Sequence, residues 1–191
     1  MDATTDLRPL YQDAADQLAK LIDAVTPEQL GLPTPCEEFD VRALLSHTVG
    51  GMHRAAYIGE GGHPTDVAAL VGEAADDAWP AVLGRARARM AAAWADDATL
   101  ERPTAVPWGT VPGRAALGGY FMELVTHSWD LAQAVAPGTV LDEELGRVAL
   151  AFAEQALPAE RRGPGVPFGP VRPAPADADP TTRLAAWLGR A

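Results

Sequence analysis

Three side chains that can bind a metal or move protons recur at helical spacing between residues 120 and 132. Glu123 and His127 lie about 40° apart on a helix, and Asp130 returns to within about 20° of Glu123. The rest of this segment is apolar almost all round, which predicts a buried helix. Because buried ionisable groups are unfavourable unless they are paired or bound to a metal, this helix is where function is expected.

A third potential ligand is His47, which ends the segment Leu44-Leu45-Ser46-His47. Two histidines and one glutamate form a known type of open divalent-metal site, in which one position is left for water or substrate. Two other interpretations stay open on the residues alone. Glu123 and His127 can form a local hydrogen-bonded pair, and a lone helical histidine is more often a satisfied core residue than a ligand.

The remaining histidines and the single cysteine carry weaker signals. His53 shares no obvious helix face with His47 and is interpreted as a surface or loop-proximal residue, whereas His63 lies in a Gly/Pro-containing loop and is expected to be solvated. Cys36 is the only cysteine, which excludes an intrachain disulfide. We interpret it as a buried structural cysteine in a Thr-Pro-Cys turn, with a reactive thiol as the less favoured alternative.

Apolar periodicity predicts an all-α chain that positions these residues on helices. In the second helix His47 falls about 60° beyond Leu44, at the rim of the apolar stripe. Asp40 is expected to cap this helix, and Pro80 to kink or divide the third. The predicted helices cover residues 7–25, 40–57, 66–95, 114–136 and 142–156, and four main helices are expected to form a bundle.

The connections are predicted to be ordered but largely irregular. Residues 100–113 contain three prolines, which weakens the case for a strand or hairpin there. Residues 161–180 form an extended Pro/Gly-rich tail segment, and a short terminal helix is expected over residues 180–189. We therefore expect residues 1–191 to form a single domain.

Composition excludes several function classes. The formal net charge of -11, from 15 basic and 26 acidic residues, argues against a nucleic-acid partner. No apolar run approaches membrane-spanning length, and the N-terminal residues lack the basic and apolar regions of a signal peptide. We therefore expect a soluble, cytoplasmic protein with no membrane partner.

Two motifs together resemble a known family. The segment from Thr34 to His47 and the later segment Glu123-Leu-Val-Thr-His127-Ser-Trp-Asp130 are similar to the metal-binding domain of mycothiol-dependent maleylpyruvate isomerases. This domain belongs to the DinB-like group of four-helix bundles. The resemblance implies a DinB-like bundle in which His47, Glu123 and His127 bind one divalent ion, usually zinc, with nickel or iron as alternatives. It implies for Asp130 an outer role, either orienting a ligand or contacting substrate and handling a proton.

The resemblance also implies a class of chemistry. It favours a thiol-dependent isomerase or S-transferase that uses mycothiol, a small thiol of actinobacteria, on a small electrophilic substrate. The chain resembles a short form that lacks most of the C-terminal domain of the true isomerases. A non-catalytic metal-binding or interaction protein and a zinc-dependent hydrolase therefore remain as alternatives, and whether the chain is an enzyme stays open, as do its substrate and oligomeric state.

Overall fold

Helices make up most of the chain. The structure, a computed structural model, describes residues 5–68, 70, 72, 74–163 and 165–190. In the described residues the α-helices are α1 (Arg8–Asp23), α2 (Val41–Gly59), α3 (Trp79–Ala93), α4 (Asp97–Glu101), α5 (Gly113–Val135), α6 (Glu143–Ala156) and α7 (Pro180–Trp187). One hairpin is formed by β1 (Pro103–Val106) and β2 (Gly109–Pro112), and single 3-10 turns lie at Pro27–Gln29 and Ala159–Arg161.

The long helices α1, α2, α3 and α5 form the predicted four-helix bundle. Helix α1 packs against α3 and α5, and α2 packs against the same two helices. The apolar stripe of α1 is buried as expected, through Tyr11, Ala14, Ala15, Leu18, Leu21 and Ile22. The prediction of an all-α bundle with short additional helices is thus confirmed.

Helix α5 is the central element of this bundle. It contacts α1, α2, α6 and α7. Every residue from 116 to 132 is buried except Glu123. The prediction of a buried helix is confirmed, and the one interruption in its buried surface is a carboxylate that faces another helix.

Helix α2 begins at the predicted cap. The Asp40 carboxylate accepts a hydrogen bond from the Ala43 amide at 2.8 Å, which satisfies one of the free donors of the first turn. The helix continues to Gly59, two residues beyond the predicted end. His47 therefore lies near the middle of a rigid helix that packs against α5.

The predicted third helix is too long at its start. Residues 66–78 form turns and irregular backbone wherever they are described, and α3 begins only at Trp79. Most described residues of this stretch are exposed, so a helix there would have no face to bury, and propensity alone does not stabilise one. Pro80 lies in the first turn of α3, where its missing amide is tolerated, instead of kinking a longer helix. The predicted apolar position Val71 lies outside the described residues.

Residues 100–113 are more regular than predicted. Strands β1 and β2 pair antiparallel with Pro103 opposite Pro112 and Val106 opposite Gly109, which leaves Pro107 and Trp108 as the turn. The two paired prolines occupy strand ends, where a missing amide removes little from the ladder. The expectation of a largely irregular connection is wrong here, because the prolines avoid the positions at which they would break pairing.

The C-terminal part of the chain packs back onto α5. Helix α7 contacts both α5 and α6, and Trp129 donates through Nε1 to Thr182 Oγ1 at 3.2 Å. Between Arg162 and Asp179 the described residues, which do not include Pro164, contain no helix or strand. This agrees with the extended segment predicted there. This path brings Arg190 back to Asp130, near the C-terminal end of α5.

No helix within the described ranges is both long enough and apolar enough to cross a membrane.

Candidate metal site

The fold brings the three predicted ligands together. His47 on α2 faces Glu123 and His127 on α5, and one ligand atom from each lies within 4.8 Å of the others. His47 Nε2 and Glu123 Oε1 are 3.2 Å apart, while the two imidazole rings meet edge to face with centroids 5.0 Å apart. Two imidazoles and a carboxylate at this separation have the types of donor atom that zinc sites use.

The three side chains sit at the boundary between core and solvent. His127 is 5% exposed, His47 18% and Glu123 29%. The predicted position of His47 at the rim of the core is therefore confirmed. Burial raises the pKa of Glu123, but the hydrogen bond with His47 and the charges of His127, His47 and Arg54 outweigh it, so the pKa lies below its ordinary value. The carboxylate is thus held in its charged form.

A small cavity lies between the three residues. Its volume is about 10 Å³, and its wall is completed by side chains and backbone of Tyr11, Thr48, Gly51, Met52, Tyr120 and Leu124. A space of this size accommodates roughly one water-sized species. The cavity therefore fits a single ion, whereas an organic molecule would have to approach it from outside.

Asp130 fixes the orientation of His127. The Asp130 side chain is 0% exposed, and its Oδ2 atom lies 2.9 Å from His127 Nδ1. With a carboxylate beside it, Nδ1 carries the proton, so Nε2 keeps its lone pair for a ligand bond. Asp130 thus occupies the place of the outer carboxylate that commonly orients a metal-binding histidine.

Arg190 closes the other side of Asp130. Arg190 Nε donates to Oδ1 at 3.1 Å and to Oδ2 at 3.3 Å, and its Nη2 donates to Oδ2 at 3.3 Å. Arg114, on the same helix as Asp130, pairs with Glu101. Nothing in the helical periodicity pointed to Arg190, which lies 60 residues from Asp130 along the chain.

A second group of potential ligands shares His127. It consists of Cys36, His127 and Asp130, whose ligand atoms also lie within 4.8 Å of one another. Burial raises the pKa of the Cys36 thiol, and the positive charge of Arg190 offsets only part of this effect. The described part of the chain therefore has two candidate metal positions that share the imidazole of His127.

The turn before α2 holds Cys36 and Phe39 against these groups. Thr34 Oγ1 donates towards the carbonyl oxygens of Cys36 and Phe39 at 3.1 and 2.8 Å. Phe39 packs on the His47 ring with centroids 4.9 Å apart. The interpretation of Cys36 as a buried residue of this turn is confirmed. Neither group includes His53, which is half-buried, or His63, which is exposed as predicted.

A protein-family comparison matches residues 11–132, a range that contains all three ligands predicted from sequence. The matching family is the mycothiol maleylpyruvate isomerase N-terminal domain. The chain belongs to this family. Family membership agrees with the resemblance noted from the segments around His47 and His127.

Two proteins of Mycobacterium tuberculosis are similar to this chain over almost its whole length. These are "Uncharacterized protein MT0763" of strain CDC 1551 / Oshkosh and "Uncharacterized protein Rv0738" of strain ATCC 25618 / H37Rv. Each is 36% identical over 185 residues, which is 94% of this chain and 95% of the relative. Their names indicate no activity that could be transferred.

The fold also matches a solved structure, described as the crystal structure of the mycothiol-dependent maleylpyruvate isomerase. The TM-score is 0.59 at 17% sequence identity, over 80% of this chain and 67% of the isomerase chain. This similarity establishes the isomerase-type helical fold. A sequence identity of 17% is too low to indicate that the two proteins catalyse the same reaction.

Proposed function

We propose that this protein binds one zinc ion between His47, Glu123 and His127 and uses a small thiol of the mycothiol type. Its reaction is the isomerisation, or the S-conjugation, of a small electrophilic substrate. The observation that carries the proposal is the convergence of the three ligand atoms within 4.8 Å around an ion-sized cavity. Membership of the mycothiol maleylpyruvate isomerase N-terminal domain family supports the choice of thiol.

Charge favours this position over the one beside Cys36. On the Cys36 side, a cation would lie next to the Arg190 guanidinium, which already neutralises Asp130. A buried thiol with a raised pKa must also lose its proton before it can act as a ligand. On the His47 side, the carboxylate of Glu123 is held charged, and Asp130 turns the free Nε2 of His127 outward.

An ion in this site would supply Lewis acidity, which lowers the pKa of a thiol and makes its thiolate available at neutral pH. The protein's own contribution is to fix the two imidazoles and the carboxylate on two packed helices. Asp130 is fully buried between His127 and Arg190, and its position supports an orienting role instead of contact with substrate.

The proposed reaction conserves atoms and electrons. The thiolate sulfur forms a bond to the β-carbon of an alkene conjugated to a carbonyl group, and the alkene electron pair moves onto the carbonyl oxygen. Rotation about the resulting single bond, followed by cleavage of the carbon–sulfur bond, returns the thiolate and leaves the alkene in the other geometry. Protonation of the adduct, without cleavage, yields the S-conjugate instead.

A separate open pocket at Arg54 has room for such a substrate. It has a volume of about 620 Å³ and lies between Arg54 of α2, the loop at His63 and the hairpin residue Thr110. The residues that line this pocket include no carboxylate, although the chain has 26 acidic residues. Arg54 supports a link between this pocket and the proposed ion, because its charge also helps to lower the pKa of Glu123.

Metal content tests the first part of the proposal. Protein purified without chelator is expected to contain close to one equivalent of zinc by elemental analysis. The same measurement would detect nickel or iron if either metal occupied the site instead. His127→Ala and Glu123→Gln should each lose most of the metal, and His53→Ala serves as the matched control on α2. Full occupancy in His127→Ala would show that the ion lies elsewhere.

Turnover tests the second part. Mycothiol and maleylpyruvate, or another conjugated unsaturated acid, should give an isomer or an S-conjugate at a rate that depends on both metal and thiol. Liquid chromatography with mass spectrometry distinguishes the two products. Metal binding without thiol-dependent turnover would favour a non-catalytic metal-binding protein, whereas thiol-independent cleavage of an ester or amide would favour a hydrolase.

A further inference from the structure

Tyr120 lies beside the proposed ligands on the same helix. It precedes Glu123 by one turn of α5 and contributes to the wall of the ion-sized cavity. Only 5% of the residue is exposed. From sequence, Tyr120 was one of several apolar neighbours of Glu123, but in the structure it lines the cavity between the three predicted ligands.

The Tyr120 hydroxyl group lacks a partner. It is buried and has no hydrogen-bond partner among the residues that the structure describes. Buried hydroxyl groups in native proteins are nearly always hydrogen-bonded, so an unpaired one calls for an explanation. Burial and the negative charge of Glu123 raise the pKa of Tyr120, which therefore stays protonated and can donate a hydrogen bond.

The hairpin holds the Tyr120 ring in place. Trp108, at the turn between β1 and β2, packs on Tyr120 with ring centroids 5.5 Å apart. This approach requires glycine at position 119, because a Cβ atom there would lie 2.7 Å from Trp108 Cζ2. The exposed tryptophan thus covers the ring of Tyr120 and helps to hold it in place.

We propose that Tyr120 donates a hydrogen bond to the exogenous ligand in the metal position that the protein leaves open. This inference rests on the proposed metal site. The ligand must accept a hydrogen bond and carry negative charge, as a thiolate sulfur or a carboxylate oxygen does. Tyr120 is then a positioning residue that favours an anionic ligand over a neutral one and does not itself bind the metal.

Cobalt(II) provides a probe that is separate from activity. In the cobalt-loaded protein, titration with 2-mercaptoethanol should change the visible absorption as the thiolate enters the open position. Tyr120→Phe should bind cobalt(II) within about threefold of the wild-type affinity but bind 2-mercaptoethanol roughly tenfold to a hundredfold more weakly, as expected for a lost hydrogen bond to a charged group. Without metal, Tyr120→Phe should melt at or above the wild-type temperature, because the change removes a buried unpaired hydroxyl group.

Tyr57→Phe is the matched control. Tyr57 is on α2, and its hydroxyl group donates to Asp66 on the outside of the bundle, so this variant should bind both cobalt(II) and the thiol as the wild type does. Unchanged thiol affinity in Tyr120→Phe would overturn the inference while leaving the metal site intact. A tenfold loss of cobalt(II) affinity in Tyr120→Phe would also overturn the inference, because Tyr120 would then be a ligand of the metal itself. Failure of the wild-type protein to bind cobalt(II) at the three ligands would overturn both proposals.

Discussion

The two groups of potential metal ligands that share His127 differ in charge, although each consists of three residues. On one side, His47 and Glu123 offer a lone pair and a carboxylate to a small cavity. On the other side, the Asp130 carboxylate is already paired with Arg190, and the Cys36 thiol is held neutral by burial. Proximity of ligand atoms is thus a poor guide to a metal position unless the neighbouring charges are counted.

Arg190→Met is expected to have the largest effect, because it leaves the fully buried Asp130 without its cation. The free energy of unfolding should fall by about 3 kcal/mol, as for other broken buried ion pairs. Denaturant unfolding measures this loss. Arg183→Met, which changes an exposed arginine of α7, should stay within about 0.5 kcal/mol of the wild type.

The same variant also reports where the ion lies. If the ion is bound by His47, Glu123 and His127, Arg190→Met should change zinc affinity by less than about tenfold. If the ion instead lay between Cys36 and Asp130, removal of the adjacent positive charge should raise zinc affinity markedly. Competition titration with a chromophoric chelator separates the two outcomes.

Asp130→Asn should have the next largest effect on the metal site. The Asn side chain is a weaker acceptor for the His127 Nδ1–H group, so zinc affinity should fall by about tenfold. Intact zinc affinity with reduced thiol-dependent turnover would instead indicate proton transfer by Asp130. A change in stability alone, with zinc affinity and turnover unaffected, would show that Asp130 has only a structural role, as the partner of Arg190 in an ion pair.

Cys36→Ser should have a smaller effect and one that is confined to stability. The free energy of unfolding is expected to fall by roughly 1 kcal/mol, because a hydroxyl group replaces a buried thiol. Zinc affinity should remain within about twofold of the wild type, measured by the same chelator competition. A tenfold loss would place the ion on the Cys36 side and reverse the assignment.

The smallest expected effect concerns the pH dependence of the metal-free protein. The pKa of Glu123 in the folded state lies below the ordinary value of 4.5, so its carboxylate stabilises the fold above that pH. This contribution disappears as the pH falls through the lowered folded-state pKa. The wild type should therefore exceed Glu123→Gln in stability near neutral pH, by less than about 1 kcal/mol because Glu123 is partly exposed. A difference that persists at strongly acidic pH would contradict this account.

The periodicity of apolar residues was sufficient to predict the helices that bury one face. It predicted α1, α2, α5 and α6 to within a few residues and placed His47 at the rim of the core. It failed over residues 66–78, where alanine-rich sequence has high helix propensity but no buried face in the structure. It also underestimated the hairpin, because proline content does not reveal whether a proline occupies a paired position.

The candidate site was predictable only in part for a similar reason. Helical spacing grouped Glu123, His127 and Asp130 on one face, residue type added His47 as a candidate ligand, and the family resemblance implied that they belong to one site. Arg190 could not be found this way, because its contact depends on the path of an irregular segment between α6 and α7. Tyr120 was visible as a neighbour of Glu123, but only its unpaired hydroxyl group in three dimensions distinguishes it from the apolar residues around it.

The pairing of Asp130 with Arg190 also affects how the protein is made. Sixty residues separate the two partners, so at the usual 5–20 residues per second Asp130 is synthesised roughly 3–12 s before Arg190. A growing chain can assemble α1, α2, α3 and α5 while a buried carboxylate in their midst still lacks its cation. The inner surface of α5 is therefore expected to stay loosely packed during translation, and the final structure forms only after the tail has docked.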